Sequence, residues 1–477
     1  MIKPEITLDE IKKKISEYSK DQLIGTSYNF LNSRAANYPI WSVFTLMKLA
    51  YLYANNTAPY KELSHREYEG LVNEIFNFNQ DHIGDFINAG SIDKAFQALH
   101  AQQFYLLKEV YLDIFAIQLK LYITLAGKYK PDEVFQEKTG LSILDFIICL
   151  KIVWIYTDLY NLGLSKFPFN GLLNDNLLGF LQHKVGLEKA GKFFRLLTVD
   201  IVNPKNSIES YKRGIDREDL QTLEATFFVM FPFQVFDGKL HLIHTHVFNH
   251  TINYYIYDYL KANVGSKFTE EFGFIVERYI ECGIREIGYK YNTEKQIEKL
   301  LPPLSKLVDF HFPDDNVFME CKAIELQPFV SVNPTDERLY NSLKDSLLKA
   351  YFQQLVPTAK KISPDKENWG IIITYKELFW SRFTELYDVT KDKYLDSEDN
   401  NHLKPENVFI IDVCTWDVMM QVIKDKKASL LDILRIARKN NSIPETSKQS
   451  FRMHLKIYGV QTMKLSYLTK EHKMLVD

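Results

Sequence analysis

The chain changes rhythm along its length. Up to about residue 215, apolar residues recur at the three-and-four spacing of amphipathic helices. Thr7-Leu-Asp-Glu10 predicts a capped helix start, because a threonine three residues before a glutamate can close a capping box. Ala101–Ala126 reads as one long helix stopped at Gly127, and Leu141–Leu162 as another stopped at Gly163, since glycine commonly ends helices. Around Phe227–His246 the rhythm breaks. Two apolar-rich runs flank Asp237-Gly238, which predicts a β-hairpin. Val247–Ala262 returns to helical spacing.

A second pattern starts near Gly265. Glu270–Tyr289 has helical spacing. Leu307–Phe312 and Val317–Leu326 read as two strands joined through Pro313-Asp-Asp-Asn316, and Leu339–Lys361 as a helix. Trp369–Tyr375 and Val408–Val413 are short continuous apolar runs, as in central strands covered on both faces. Leu430–Arg438 is helical again. Strands alternating with helices in this way predict an α/β domain. The expected organisation is therefore a large, mainly α-helical domain over 1–262 with a small β-hairpin. An α/β domain over 263–440 and a C-terminal extension over 441–477, with no assigned role, complete the chain.

Composition narrows this picture. A length of 477 residues supports more than one core. The formal net charge of -3 gives no global basic field, although a local basic groove is enough to hold a nucleic acid. Cys149, Cys282, Cys321 and Cys414 lie far apart, with no paired spacing. That fits a reduced, cytoplasmic protein and argues against a disulfide scaffold or a cysteine-rich zinc site. The most apolar stretch, Ile143–Tyr156, carries Asp145 and Lys151 and is too short to span a bilayer, so no membrane association is expected. Neither a phosphate-cradling glycine loop nor a dinucleotide fingerprint is present, which counts against ATP-driven and hydride chemistry.

The two strands after Leu307 carry the candidate chemistry. Asp309, Glu320 and Lys322 interrupt runs that should be buried, and buried charges need a partner, a metal or a task. Alternation along a strand points Glu320 and Lys322 to one face, and Asp309 joins them if its strand pairs with theirs. Two carboxylates at one point can hold Mg²⁺ (or Mn²⁺), with the backbone carbonyl of Cys321 as a third oxygen. Lys322 can then orient the attacking water and offset phosphate charge, while the metal lowers the pKa of that water. The plain alternative is a solvated ion pair on an edge strand. Glu10-Ile-Lys12 and Glu471-His-Lys473 share the Glu-x-Lys spacing but lack the preceding acid-bearing strand.

In this order and context the stretch resembles the PD-(D/E)xK nuclease superfamily, the restriction-endonuclease-like fold. Asp309 takes the place of the first acid, preceded by Val308 where many members have proline. Glu320 and Lys322 take the places of the second acid and the lysine. Gly273-Phe-Ile-Val-Glu-Arg-Tyr resembles the helix that carries a further glutamate in many members, with Glu277 at that position. Ala350-Tyr-Phe-Gln-Gln-Leu offers Gln354, or alternatively Gln353, where several subgroups carry a glutamine. The resemblance covers roughly residues 265–440. It implies a central mixed sheet flanked by helices, Mg²⁺- or Mn²⁺-dependent hydrolysis of phosphodiesters, and nucleic acid as partner, with DNA favoured over RNA. It further implies catalytic roles for Asp309, Glu320, Lys322, Glu277 and Gln354, with Asp309, Glu320, the Cys321 carbonyl and Glu277 as metal ligands. A nuclease domain beside a large helical domain is similar to microbial defence nucleases against phage or foreign DNA. Such proteins act as homo-oligomers or with a partner protein of a defence system. An RNase effector that arrests growth, and an inactive nucleic-acid-binding scaffold of the same fold, are the alternatives.

Each flanking residue also has a plain reading. Glu277 can be an exposed helix residue paired with Arg278 or Lys290, and Gln354 can bind a loop. Cys321 fits a small buried hydrophobe better than a nucleophile. His311, two residues after Asp309, can approach the site or lie on the surface. His241, His244, His246 and His250 cannot share one face of one element, so hairpin and surface positions are expected rather than a zinc site. Lys349, Lys360 and Lys361 can follow a phosphate backbone or simply face solvent. Tyr340, Tyr351 and Phe352 are read as packing residues.

Overall fold

The computed structural model describes residues 6–32, 39–88, 92–103, 109–159, 171–200, 203–211, 220–301, 306–380, 382–393, 402–460 and 463–476. The chain forms two compact units. One comprises residues 1–111, 132–260 and 331–334; the other comprises 112–131, 261–330 and 335–477.

The first unit is helical with one hairpin. Its opening helix, Leu8–Ile15, begins with the expected capping box: Thr7 accepts from the Glu10 N–H, and Glu10 accepts from the Thr7 N–H at 2.8 Å. Leu8, Ile11 and Ile15 enter a core shared with Phe44, Met47 and Phe228. The hairpin forms where Asp237-Gly238 predicted it. Strands β1 (Phe233–Phe236) and β2 (Lys239–Leu242) pair antiparallel with Phe236 opposite Lys239. Asp237 and Gly238 both have positive φ, 51° and 68°, as a tight two-residue hairpin turn requires. The apolar helix Ile143–Leu159 buries Phe146, Ile147, Leu150 and Val153. Its expected stop at Gly163 lies outside the described residues. Among the described residues no single helix is long and apolar enough to cross a membrane; the pair Pro131–Thr139 and Ile143–Thr157, bent by 74°, reaches that composition only jointly.

The second unit is built on a five-stranded mixed sheet. Its strands are β3 (Asn292–Thr293), β4 (Phe310–Phe312), β5 (Val317–Lys322), β6 (Trp369–Thr374) and β7 (Val408–Asp412), in that spatial order. β3, β4 and β5 pair antiparallel, while β5, β6 and β7 run parallel. Every residue of β6 and β7 is buried, as their unbroken apolar runs predicted. The turn between β4 and β5 closes through Asn316 at φ 50°, a left-handed conformation that asparagine tolerates. On one side, Phe318, Ile372 and Ile410 pack with Leu348, Tyr351 and Leu355. Helix Ser266–Ile287 lies against β5, and helix Val413–Lys424 lies against β6. These two helices approach closely at Gly283, where an added Cβ would stand 2.6 Å from the Trp416 indole nitrogen.

Several expectations change. The run Ala101–Ala126 is not one helix: a helix ends at Gln102, a second spans Asp113–Leu119, and a widened turn follows over Lys120–Thr124. Residues 104–108 of that run lie outside the described residues. The segment 112–131 belongs to the sheet-bearing unit and 331–334 to the helical one, so the chain crosses between the units at other points besides that near 262. The physical reason is Tyr122, which stacks on Phe272 at 5.4 Å and shares a buried 2.9 Å hydrogen bond with the Tyr375 hydroxyl. Helical periodicity alone cannot show which core such a helix joins. The run Leu339–Lys361 also breaks, into Asp336–Leu343, Leu347–Lys349, a wide π turn over Ala350–Leu355, and Val356–Ile362. Pro357 has no N–H to donate and crowds the preceding turn, which accounts for the widening there.

The residues from 441 onward are not a separate extension. They pack into the second unit, where Tyr467 bonds Asp417, Ser466 bonds Glu286 and His472 meets Asp113 at 2.9 Å. β3, only two residues long, gave no readable pattern in the sequence.

Candidate active site

The register of β4 and β5 sets Phe310 opposite Met319 and His311 opposite Phe318. One step further brings Asp309 level with Glu320. There the ladder gives way to side chains: the Asp309 N–H donates to Glu320 Oε2 at 3.3 Å, and the Cys321 N–H donates to Asp309 Oδ2 at 2.7 Å. Lys322, next on the same face of β5, pairs its ammonium with Glu320 Oε1. The π turn carries Gln354 to the same carboxylate. Its amide donates to Glu320 Oε1 at 2.5 Å and to the Leu307 carbonyl at 3.1 Å. Gln354 Oε1 is buried with no hydrogen-bond partner.

Of the two neighbouring glutamines, Gln354 therefore belongs to the site. Gln353 instead accepts from Lys306 at 2.9 Å. Val308, just before Asp309, is buried in the core with Leu307.

The charges here are under strain. Burial pushes the Asp309 carboxyl well above the usual carboxylate range, and the neighbouring Glu320 charge pushes it further. Burial also raises Glu320, opposed by the Lys322 ammonium and the Gln354 amide. Glu277, half-buried on helix Ser266–Ile287, is pushed up to about 7, first by burial and then by the charge of Asp309. Glu277 thus faces Asp309, not Lys290, while the Arg278 guanidinium turns to the Leu125 carbonyl at 2.9 Å. Four of the expected residues, Asp309, Glu320, Lys322 and Gln354, are joined by hydrogen bonds or ion pairing. Glu277 joins them electrostatically.

The donor set suits a hard cation. It is made of carboxylate oxygens and one orphaned amide oxygen, the ligands that Mg²⁺ and Mn²⁺ prefer. Among the described residues, however, no group of three or more His, Cys, Asp or Glu side chains is arranged to hold a metal ion. Cys321 contributes a bond to the acids through its backbone N–H. Burial holds its thiol far above the ordinary value, so it stays protonated and is no nucleophile.

Two neighbours escaped the sequence reading. Glu294, exposed at the start of helix Glu294–Leu300, donates its N–H to the Asp309 carbonyl at 3.0 Å and adds negative charge beside both Asp309 and Glu277. Lys306 stands near Lys349 and Lys322, which together lower its pKa after desolvation. Its position three residues before Asp309 was the available signal. Lys349 thus lies beside the site, as one reading of the basic residues expected.

Other candidates resolve plainly. His311 is buried, stacks on Phe318 at 4.5 Å and is held neutral by burial, which lowers it to about 4. Of the histidines near the hairpin, His241 lies on β2 as expected, but it and His250 are buried, and His244 and His246 are half-buried. His241 packs edge-on to Tyr28 at 4.9 Å, His250 packs on Tyr254 at 5.0 Å, and burial lowers His244 to about 3. Tyr351 is buried and its hydroxyl bonds the Leu403 carbonyl at 2.7 Å, consistent with packing. No protein-family profile, curated protein or solved structure matches the chain.

Proposed function

We propose that the second unit is a metal-dependent phosphodiesterase of the PD-(D/E)xK type, a restriction-endonuclease-like nuclease that cuts nucleic acid, with DNA favoured over RNA. The observation that carries this reading is the convergence of Asp309, Glu320, Lys322 and Gln354 at the junction of β4 and β5. Mg²⁺ or Mn²⁺ bound there supplies Lewis acidity and a more acidic water. Asp309 and Glu320 would hold the ion, with Glu277 in reach as a further acceptor or as a base for a water proton. Lys322, which pairs with Glu320, would be placed beside the ion to offset the charge of the scissile phosphate. Gln354 keeps Glu320 in one orientation, because its amide is itself anchored on the Leu307 carbonyl. By analogy alone, a nuclease unit beside a helical unit suits cytoplasmic defence against phage or foreign DNA, as a homo-oligomer or with a partner protein.

A second reading has one observation in its favour. Lys322 pairs with Glu320 rather than standing free, as it would in a scaffold of this fold that has lost catalysis and only binds nucleic acid. Incubation of supercoiled plasmid DNA, single-stranded DNA and structured RNA with the protein and Mg²⁺ or Mn²⁺ separates these. Cleavage by the wild type but not by Asp309→Ala or Lys322→Ala supports the nuclease. RNA-only cleavage moves the substrate to RNA. Equal cleavage by all three proteins rejects the site, and metal-independent binding without cleavage supports the scaffold.

A further inference from the structure

A separate cleft opens at the other end of the same sheet. β5, β6 and β7 run parallel, so Lys322 at the end of β5 and Val408 at the start of β7 lie at opposite ends. Beside Val408 is a cavity of about 700 Å³, within the size range of small-molecule sites. Its rim carries four cations, Arg382, Arg435, Arg438 and Lys439, against one acid, Glu406. Its floor is apolar, formed by Phe383 and Pro405 among others. Glu385 pairs with Arg382, and Glu367 with Arg435 and Arg438, so the positive charge left over is carried mainly by Lys439 and the loosely held Arg435.

The cations differ in how firmly they are held. Arg438 is fixed: it donates to Glu367 at 2.6 Å and to the Asn407 side-chain oxygen at 2.9 Å, and its guanidinium lies over the Trp369 ring at 4.8 Å. Arg435 is only loosely paired, 3.9 Å from Glu367. Lys439 is exposed on the same helix Leu430–Asn441, where its carbonyl accepts from the Ser442 hydroxyl at 2.8 Å and its ammonium has no ion-pair partner among the described residues. A fixed guanidinium beside a loose one and an unpaired ammonium is an arrangement that meets phosphate oxygens well. Inorganic phosphate alone would leave the apolar floor uncovered and most of the cavity unfilled. A planar ring attached to the phosphate would cover it.

We infer that this cleft binds a free nucleotide, phosphate toward Arg435, Arg438 and Lys439 and base against the apolar floor, at a site distinct from the carboxylate cluster of β4 and β5.

The test is calorimetric titration of the full-length protein in EDTA, so that cleavage plays no part. The probes are AMP, ATP, adenosine, inorganic phosphate and a twenty-nucleotide oligo-dT. Saturable binding of AMP or ATP is expected, at least tenfold tighter than adenosine or phosphate. The double substitution Arg435→Ala with Lys439→Ala should weaken it at least tenfold without shifting Tm, while Lys322→Ala leaves it unchanged. Adenosine binding as tightly as AMP, or phosphate binding as tightly, overturns the inference, the latter marking an adventitious anion site only. So does AMP binding that the double substitution leaves intact, or oligo-dT binding in a cleft that ignores AMP. Absence of any binding overturns it too. Cleavage assays have no bearing on these outcomes, so the site inference and the nuclease proposal stand or fall separately.

Discussion

Two of the buried carboxylate sites in the sheet-bearing unit are built on different principles. Asp417, fully buried on helix Val413–Lys424, accepts hydrogen bonds from the Tyr279 hydroxyl at 2.7 Å and from the Tyr467 hydroxyl. Both of its oxygens are bonded, and no cation is needed. At the junction of β4 and β5, three acids crowd together with one lysine, and a buried amide oxygen stays unbonded. Both sites raise carboxyl pKa values by burial; Asp417 reaches about 7. Repulsion adds to burial at both, from Asp113 and Asp412 at Asp417 and among Asp309, Glu320 and Glu277 at the second, but only the second leaves a buried polar atom without a bond. A buried carboxylate that is fully hydrogen-bonded holds a fold together, whereas one that is repelled by its neighbours and left short of partners is poised for a cation or a proton transfer.

That contrast can be broken most sharply by removing charge from each site in turn. Asp309→Ala and Lys322→Ala should each reduce metal-dependent cleavage by about a thousandfold, the scale of losing a principal electrostatic contribution in the transition state. In EDTA the denaturation midpoint of Asp309→Ala should stay at or above wild type, because a repelled charge is gone, whereas that of Lys322→Ala should fall, because buried Glu320 loses its paired ammonium. A large stability loss for Asp309→Ala would place this acid with Asp417 as a structural residue.

Asp417→Ala should behave in reverse. It leaves two buried tyrosine hydroxyls without an acceptor, at a cost of roughly 2–4 kcal/mol. Urea denaturation reads that loss, and cleavage per folded molecule should be unchanged. Reduced cleavage at full folding would erase the distinction between the two sites.

A smaller effect is expected at Gln354. Gln354→Ala frees Glu320 to rotate and should weaken Mg²⁺ affinity or activity about 10- to 100-fold. Gln353→Ala, which loses only the bond from Lys306, serves as its control. Equal effects from the two would show that the π turn does not select the residue that reaches the acids.

The gentlest probe is pH. Glu277 and Asp417 both have folded pKa values raised to about 7, above the unfolded carboxylate value of about 4. The folded state then binds more protons than the unfolded state between these values, so stability is greatest below about pH 4 and declines as pH rises through about 7. Tm followed from pH 5 to 8 should fall. Glu277→Gln and Asp417→Asn should each flatten part of that fall, and saturating Mg²⁺ should flatten only the part due to Glu277. Flattening of the Asp417 part by Mg²⁺ would mean that the ion reaches both sites.

The carboxylate cluster was legible because a strand is a short-range object. Glu320 and Lys322 share a face by alternation, and a four-residue turn returns Asp309 to their level, so local spacing carries the geometry. The hairpin at Asp237-Gly238 was legible for the same reason. Gln354 was visible as a candidate, but its reach depends on a widened turn ahead of Pro357 that helical spacing hides. The Asp417 site was invisible. Its partners lie 138 and 50 positions away, and a lone aspartate in an apolar helix has no local mark that separates it from a solvated one. The same limit explains why residues 112–131 were placed with the wrong unit: their apolar face is real, but the core it completes is contributed by Phe272 and Tyr375, far along the chain.

The packing of residues 466–472 onto Asp417, Glu286 and Asp113 has a bearing on how this protein is made. While the ribosome is still translating the sheet, the segment around Asp113 has already emerged and its final neighbours do not yet exist. Asp417 lacks one of its two hydroxyl partners until Tyr467 leaves the exit tunnel. The unit that carries the acid cluster therefore reaches its finished form late in synthesis, only after the polypeptide has been made past residue 472.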